Sequence, residues 1–443
     1  MGDYFGTDGV RGVANKDLTV EMAYKIGRYL GHYFKDQDNC RFVVGKDTRL
    51  SSTMLESALI SGCLESGADV YALGYTSTPS VSYLVKNEAF IAGVMISASH
   101  NPYYDNGIKI LKNDGTKITA ELEALIEDYF INEQDIPRAA FDKIGRFYDF
   151  QDGLNDYGDY LLSLKAADYN SLKIALDLAN GSACFTAKRL FSSLGLKVDY
   201  FNDQPDGINI NNKCGSTHLK GLREIVKNHD YDAGFAYDGD ADRVLAIAHD
   251  GSIIDGDAIM FIVAKYLSSI KRLKDETLVT TVMSNIGLHK ALKKAGLKTA
   301  ITQVGDKYVY ECMQNNAYSL GGEQSGHIIF ADYANSGDGL LTSLFLLNIM
   351  AKEKKGLKEL SEELVIYPQL LINIKVKDKI IIEDQEVKDL INEVSQLLGD
   401  NGRILVRTSG TEPLIRVMVE AENDELCQKY CQKVADLLKE KDT

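Results

Sequence analysis

Short apolar segments alternate with longer amphipathic segments through the first 367 residues of this chain. The alternation repeats in three sets, and each set contains a strand before a helix, a strand after a glycine, and a strand that opens into a polar loop. The segments that contain these strands, with the preceding glycine or the following polar loop included, are 41–47, 67–73 and 92–99, then 173–180, 195–200 and 233–240, and finally 277–285, 296–301 and 317–323. This order predicts three similar α/β domains with mixed, mainly parallel sheets. Chance alternation is the alternative interpretation.

The last part of the chain follows a different pattern. It predicts a strand, an amphipathic helix, two strands around a short loop and a final helix, at 370–376, 386–398, 403–408, 414–420 and 425–439. These elements form a C-terminal α+β domain. The predicted domain boundaries are therefore 1–150, 151–250, 251–367 and 368–443.

The composition excludes several classes of protein. A hydrophobic fraction of 45% and a charged fraction of 26% are ordinary for a globular chain, and no apolar run has membrane-spanning length. The chain begins without a basic and apolar leader, so we expect a cytoplasmic protein with no membrane partner. The net charge of −15 argues against nucleic-acid binding. The seven scattered cysteines show no zinc-binding spacing.

Two polar loops carry the strongest chemical signal. Ser99 lies in the segment 97–102 after an apolar strand, and Asp238, Asp240 and Asp242 alternate in a loop between two other apolar strands. Carboxylates at this spacing suit Mg²⁺, which also favours a phosphate oxygen. A serine that carries a phosphoryl group would supply that oxygen. Together the loops predict a phosphoserine–metal centre and phosphoryl transfer.

Simpler interpretations exist for both loops. The segment 97–102 could be only a turn, because Ser, Asn and Pro are turn formers. The aspartate run does not fit a calcium-binding loop, since its sixth residue is Arg243 instead of Gly and its twelfth is His249 instead of Glu. It could also be a solvated turn, but a loop between two apolar strands is a common place for a site.

Three further loops are candidates for ligand binding. Arg407 and Arg416 flank a loop that contains Ser409, Gly410 and Thr411, which suits a phosphate cradle or, alternatively, a plain hairpin. The loop 321–327 offers Glu323 and Ser325 to hydroxyl groups of a ligand, or forms only a tight turn. The segment 6–12, which contains Arg11, is interpreted by itself as a turn.

Some polar residues have a structural interpretation. Asp257 is expected to cap a helix that begins at Ala258, and Ser216 or Thr217 to cap a helix that begins at Leu219.

Four motifs, in this order and at this spacing, resemble those of the α-D-phosphohexomutase family over the full length of the chain. They are Gly6–Arg11, the Ser99 loop extended through Lys109, Asp238–Arg243 and Arg407–Pro413. The segments 209–218 and 304–309 and the residue Gln324 are similar to those of members that act on glucosamine phosphates, whereas relatives that act on mannose or glucose phosphates tend to carry Met at that Gln position. Lys307 departs from the family pattern, because Arg is commoner there and Lys lacks its planar fork.

The resemblance implies a four-domain, heart-shaped protein with a central cleft. Its domains would be, in order, the phosphoserine domain, the metal-binding domain, the sugar-binding domain and the phosphate-binding domain. Ser99 would carry the phosphoryl group and, with Asp238, Asp240 and Asp242, would hold one Mg²⁺ per chain. The implied roles of the other residues are proton transfer by Lys109 and Arg11 with His100 nearby, charge compensation by Arg243, sugar binding by Glu323 and Ser325, and binding of the unreacting phosphate by Arg407, Ser409, Gly410, Thr411 and Arg416.

The implied reaction interconverts glucosamine 6-phosphate and glucosamine 1-phosphate through a bisphosphorylated sugar, for UDP-N-acetylglucosamine and cell-wall synthesis. Glucosamine or glucose 1,6-bisphosphate would be the activator. The implied partner is a hexosamine phosphate, and the resemblance leaves a homodimer open. The alternatives are phosphomannomutase or phosphoglucomutase activity within the same family, a Mg²⁺-dependent phosphatase, and a phosphosugar-binding regulator.

Overall fold

The computed structural model of this chain describes residues 4–6, 9–37, 39–132, 135–408 and 413–442. Ser409, Gly410 and Thr411, which the sequence predicts to bind phosphate, lie outside the described residues. The chain forms two compact units, of which one contains Met1–Met283 with Thr299–Glu362 and the other contains Ser284–Lys298 with Glu363–Thr443.

The first sheet of the larger unit has seven described strands in the order β1-β2-β6-β5-β3-β4-β7. Its strands are β1 (Phe5–Gly6), β2 (Gly9–Val13), β3 (Arg41–Lys46), β4 (Asp69–Tyr75), β5 (Ala92–Ile96), β6 (Asp105–Lys112) and β7 (Phe147–Asp149). The helices of this part are α1 (Val20–Tyr33), α2 (Ser52–Glu65), α3 (Thr78–Asn87) and α4 (Ala120–Asn132). Strand β3 pairs in parallel with β4 and β5, whereas β6 pairs antiparallel with β5 and β2.

The second sheet has the described strand order β12-β11-β10-β8-β9. The elements here are α5 (Gly153–Ser163), β8 (Lys173–Asp177), α6 (Ala183–Ser192), β9 (Lys197–Phe201), α7 (Lys220–Asn228), β10 (Ala233–Tyr237), β11 (Val244–Ala248) and β12 (Ile253–Ile254). Strand β8 pairs in parallel with β9 and β10, and β11 returns antiparallel to β10. The loop between β10 and β11 contains the aspartate run.

The third sheet has the described strand order β14-β13-β15-β16. The elements of this stretch are α8 (Gly256–Ser269), β13 (Thr277–Thr281), α9 (Ile286–Lys294), β14 (Lys298–Thr302), α10 (Asp306–Asn316), β15 (Leu320–Gly322), β16 (Ile328–Phe330), α11 (Gly339–Glu353) and α12 (Leu357–Leu360). The strands of all three sets occur where the alternation predicts them. The predicted α/β fold class, with mixed and mainly parallel sheets, is confirmed.

The C-terminal part of the smaller unit is an antiparallel sheet covered by helices. Its elements are β17 (Gln369–Lys375), α13 (Gln385–Leu398), β18 (Arg403–Thr408), β19 (Leu414–Glu420) and α14 (Asp424–Lys441). Strand β19 lies between β17 and β18. Apolar side chains from the sheet and both helices, including Val417, Val394 and Val434, form one core. This α+β module is the one predicted, while the domain boundaries at 150, 250 and 367 stay a prediction.

Short 3₁₀ helices add to these elements at Phe141–Lys143, Lys274–Glu276, Lys379–Glu383 and Gly399–Asn401. In the part of the chain that the structure describes, no helix is both long and apolar enough to cross a membrane.

Local capping explains where several helices begin and end. Gly67 follows α2 with a φ of 88°, a left-handed conformation that favours glycine after a helix. Two capping predictions are wrong. Asp255, and not Asp257, accepts the hydrogen bond from Ala258 N that caps α8. Helix α7 begins at Lys220 without a side-chain cap, and Thr217 Oγ1 lies 3.0 Å from Nδ1 of His218 instead.

Candidate active site

Three buried carboxylates meet in the loop that joins β10 to β11. One oxygen from each of Asp238, Asp240 and Asp242 lies within 4.8 Å of the others. Antiparallel pairing of β10 with β11 closes the loop tightly, so alternate side chains converge on one point. Oδ1 of Asp240 and Oδ1 of Asp242 are buried and have no hydrogen-bond partner among the described residues. Such orphaned carboxylate oxygens fit a bound cation.

The electrostatics of this cluster also favour a cation. Burial, followed by the charges of Asp242 and Asp240, raises the pKa of Asp238 well above its usual range. Burial opposes ionisation of Asp242 as well, but Lys109, His327 and Arg243 together hold the pKa of Asp242 well below its ordinary value. A divalent cation would relieve the repulsion among three such groups.

Ser99 lies directly against this cluster. It follows β5 with a φ of 50° and is fully buried. Its Oγ donates a hydrogen bond of 2.6 Å to Oδ2 of Asp238, which is 139 residues away in the chain. The structure therefore brings together the two loops that the sequence predicts to share one centre.

A buried hydrogen-bond chain behind Ser99 was missed by the sequence reasoning. Ser99 N donates to Ser97 Oγ at 2.9 Å, and Ser97 Oγ donates to Oδ2 of Asp47 at 2.7 Å. Asp47 also accepts from Arg49 Nε at 2.8 Å. The available signal was that Asp47 and Arg49 directly follow β3, at the same edge of the sheet as the Ser99 loop.

Lys109 is the cation nearest to the carboxylates. It lies on β6 opposite Met95 of β5, and its Nζ is 2.6 Å from Oδ2 of Asp240 and 3.4 Å from Oδ2 of Asp242. Two other side chains that sequence reasoning did not assign touch the same groups. Thr78 Oγ1 donates to Asp240 Oδ2 at 2.5 Å, and Nδ1 of His327 lies 3.7 Å from Oδ2 of Asp242.

Arg243, His100 and Arg11 lie on the Ser99 side of the cluster. His100 Nδ1 is 3.4 Å from Ser99 Oγ and 3.2 Å from Nη1 of Arg243. Burial, then Arg243 and Arg11, lowers the pKa of His100 to about 4. The imidazole is therefore uncharged near neutral pH. The turn predicted for the segment 6–12 is wrong at Arg11, because Arg11 lies on β2 opposite Gly107 of β6.

The loop 321–327 also joins this centre. Gly326 O accepts a hydrogen bond of 3.2 Å from Val244 N, directly after the aspartate run. Glu323 Oε1 accepts from Gly305 N at 3.1 Å. Ser325 Oγ is buried and has no hydrogen-bond partner among the described residues. A buried hydroxyl without a partner suits a polar ligand.

A cavity adjoins the carboxylates within the larger unit. Its volume is about 320 Å³, and its lining includes Lys109, Asp242, His327, Lys117 and Lys307. This volume lies in the range of small-molecule sites, and most of the named side chains can be cationic. The lining also includes acidic side chains, so the cavity suits a small polar molecule, and Lys307 lines it.

In the smaller unit, Arg407 of β18 and Arg416 of β19 are directly opposite each other. Burial, followed by the charge of Arg416, lowers the pKa of Arg407. Like charges directly across an antiparallel pair are destabilising, so such a pair favours a bound anion.

A serine bonded into a buried carboxylate cluster, on repeated α/β domains, defines a class of phosphoryl-transfer enzymes. Sequence profiles described as phosphoglucomutase/phosphomannomutase domains I, II, III and IV match residues 2–136, 155–251, 255–367 and 371–437. The chain belongs to the phosphoglucomutase/phosphomannomutase family.

Relatives that match the whole chain carry a more specific name. The phosphoglucosamine mutase of Lachnoclostridium phytofermentans is 51% identical over 443 residues, which cover 100% of this chain and 99% of the relative. The phosphoglucosamine mutase of Anoxybacillus flavithermus is 50% identical over 444 residues, with the same coverage of 100% and 99%.

Solved structures support the fold. A phosphoglucomutase/phosphomannomutase family protein from Burkholderia thailandensis superposes with a TM-score of 0.84 at 23% identity, covering 99% of this chain and 98% of the other. The N-acetylphosphoglucosamine mutase of Aspergillus fumigatus, in complex with GlcNAc-6P and magnesium, superposes with a TM-score of 0.72 at 18% identity, covering 100% and 97%.

Proposed function

We propose that this chain interconverts glucosamine 6-phosphate and glucosamine 1-phosphate by passing a phosphoryl group to and from Ser99. The observation that carries the proposal is the bond of 2.6 Å from Ser99 Oγ to Asp238, inside a buried cluster of carboxylates. The choice of sugar rests on relatives named phosphoglucosamine mutase that are 51% and 50% identical to this chain.

The residues present fit a magnesium site. Asp238, Asp240 and Asp242 would hold one Mg²⁺ per chain together with the phosphorylated Ser99, and the buried, unbonded Oδ1 atoms of Asp240 and Asp242 support this assignment. When bound, the ion would neutralise phosphate charge during the transfer. A magnesium-bound relative of the same fold is consistent with this ion.

The chain's own residues would prepare Ser99 for the transfer. In the first step a sugar hydroxyl attacks the phosphoserine, the new phosphorus–oxygen bond forms, and the bond from phosphorus to Ser99 Oγ breaks. The sugar hydroxyl loses a proton in this step, and Ser99 Oγ gains one. Lys109 and Arg11 would assist these proton movements, and the uncharged imidazole of His100 lies 3.4 Å from Ser99 Oγ. Arg243 would offset the phosphate charge beside them.

A covalent phosphoserine divides the isomerisation into two transfers. The first transfer makes a sugar bisphosphate, and the second returns the other phosphoryl group to Ser99. Glucosamine or glucose 1,6-bisphosphate would therefore act as activator, because it can phosphorylate a free Ser99.

Separate groups would hold the rest of the substrate. Glu323 and Ser325 would bind sugar hydroxyls, and the buried, unbonded Oγ of Ser325 supports this role. Arg407 and Arg416 would bind the phosphate that is not reacting, because each can make charge-assisted bonds to its oxygens. Binding of this phosphate distinguishes a mutase, which must retain a bisphosphate, from a phosphatase.

The experiment compares kcat/KM for glucosamine 6-phosphate, glucose 6-phosphate and mannose 6-phosphate, each with Mg²⁺ and the matching bisphosphate. We expect the highest value for glucosamine 6-phosphate and little release of inorganic phosphate. A higher kcat/KM for mannose or glucose phosphate would contradict the choice of sugar. Stoichiometric release of inorganic phosphate would indicate that the chain acts as a phosphatase and not as a mutase.

A further inference from the structure

The segment 209–218 resembles the glucosamine branch of the family but has no part in the chemistry above. Within it, Asn211 is buried and adopts a left-handed φ of 57°. Its Nδ2 donates to the carbonyl oxygen of Ser99 at 2.8 Å and to that of Asn101 at 3.1 Å. Asn211 thus joins the second α/β domain to the backbone of the proposed phosphoserine.

Two further groups converge on the same carbonyl. Nη2 of the buried Arg49 donates to Ser99 O at 2.8 Å. A Cβ atom on Gly239 would lie 3.0 Å from Asn211 Nδ2 and 2.4 Å from Ser99 O, and the second distance is closer than such atoms approach. Glycine between Asp238 and Asp240 is therefore required for this contact. The aspartate loop, Arg49 and Asn211 enclose one peptide oxygen.

Asn211 is itself held firmly at the end of β8. Its N–H donates to Ala179 O at 2.9 Å. The two carboxylate oxygens of Asp177 accept from Ala179 N at 3.0 Å and from Gly215 N at 2.9 Å, so they tie the partner of Asn211 and the later part of the segment to the strand. The amide of Asn211 is therefore presented to Ser99 by a rigid element.

The side chain of Ser99 cannot provide the same anchor throughout a catalytic cycle. Its hydroxyl donates to Asp238 only while the oxygen carries a proton. After phosphorylation Ser99 Oγ has no proton to donate, and this bond is lost. The bonds to the Ser99 carbonyl do not depend on the state of Oγ. They also oppose relaxation of the left-handed φ of 50° toward a commoner conformation.

We propose that Asn211 is a positioning residue, which fixes the Ser99 backbone so that Oγ stays at the carboxylate cluster in both the free and the phosphorylated state. The proposal rests on the proposed function, because it assumes that Ser99 carries the phosphoryl group. The proposal gives the segment 209–218 a physical role, whereas its similarity to the glucosamine branch of the family does not say what the segment does.

The test uses two variants of Asn211 and two matched controls. Asn211→Asp keeps the shape but removes the donor, and Asn211→Gly removes the side chain while tolerating the positive φ. Asn212→Asp and Lys213→Gly make the same changes at exposed neighbours, and Lys213 shares a left-handed φ of 57°. We expect kcat to fall roughly 10- to 100-fold in both Asn211 variants, because misplacement of about 1 Å has such an effect. KM for glucosamine 6-phosphate should change much less, and the controls should match the original chain.

Hydrogen exchange of the full chain provides a readout that does not depend on activity. The amides of Ser99 and Asn101, bonded to Ser97 Oγ and Ala98 O, should exchange faster in both Asn211 variants and in neither control. Unchanged exchange, or faster exchange with unchanged kcat, would overturn the proposal. A loss of folded protein with normal kcat per folded molecule would reduce Asn211 to a structural residue. Failure of the proposed function would instead appear as absence of hexosamine phosphate turnover in the original chain.

Discussion

Replacing Lys109 by Met tests how the negative charge of the carboxylate cluster is compensated. Lys109 Nζ is 2.6 Å from Asp240 and 3.4 Å from Asp242, and all three side chains are buried. Methionine fills similar space without the charge. Lys109→Met therefore leaves the buried carboxylates without their nearest cation and removes the lysine that we propose for proton transfer.

The expected loss of unfolding free energy follows from the burial of the ion pairs that Lys109 makes. Removing one partner of a buried ion pair costs about 3–5 kcal/mol, because the other charge stays desolvated. We expect the free energy of unfolding of the metal-free protein to fall by about that amount. The effect on Mg²⁺ has the opposite sign, since loss of a nearby cation removes repulsion. Affinity for Mg²⁺ should rise roughly tenfold, which corresponds to about 1.4 kcal/mol of lost repulsion.

The assay is urea denaturation of the dephosphorylated protein in a chelator, followed by Mg²⁺ titration monitored by Tm. The control is Lys112→Met, which removes a cation 3.0 Å from Asp114 in a half-exposed pair. Such a pair contributes about 0–1 kcal/mol, so this variant should keep its stability and its Mg²⁺ affinity.

Equal loss of stability in both variants would refute the reasoning, because burial would then not be its cause. Weaker Mg²⁺ binding in Lys109→Met would also refute it, since Lys109 would then support the metal site instead of competing with it.

Three other predictions concern separate parts of the chain. Asp238→Ala should lower Mg²⁺ affinity and turnover together, measured by metal titration and initial rates, and normal Mg²⁺ binding would contradict the metal site. Arg407→Ala should raise KM roughly 10- to 100-fold and release more bisphosphate, because a charge-assisted bond is worth about 1.5–3 kcal/mol. An unchanged KM would contradict phosphate binding by the loop between Arg407 and Arg416 and would favour a plain hairpin. Burial raises the pKa of Asp338 from 3.8 to about 6, so unfolding should cost up to about 3 kcal/mol less as pH rises through this interval. Asp338→Asn should reduce that slope in urea denaturation, and an equal slope in both proteins would refute the assignment.

The centre of the site could be predicted because its chemistry is local in sequence. Asp238, Asp240 and Asp242 share one loop, and the apolar strands that flank it indicate that the loop is held in a fold. Ser99 could be paired with them because it follows the corresponding strand of another repeat. The positions of the strands along the chain, although not their exact bounds, followed from the same repeated pattern.

The surroundings of the centre could not be predicted in this way. Thr78, Asp47 and Asn211 act through contacts with residues that are distant in sequence, and each is an ordinary residue at a turn or strand end. The capping prediction at α8 shows the same limit on a local scale. Asp255 and Asp257 offer identical side chains, and only the extended backbone of Asp255, with a ψ of −177°, decides which of them caps the helix.

The central claim is that Ser99 carries the phosphoryl group that becomes part of the sugar bisphosphate. The most direct measurement phosphorylates the protein with radiolabelled glucosamine 1,6-bisphosphate, locates the label by peptide mass spectrometry, and chases it with unlabelled glucosamine 6-phosphate in a single turnover. We expect the label on Ser99, its transfer to bisphosphate at least as fast as kcat, and no label or turnover in Ser99→Ala. Label on another residue, label released as inorganic phosphate during turnover, or full activity of Ser99→Ala would contradict the account.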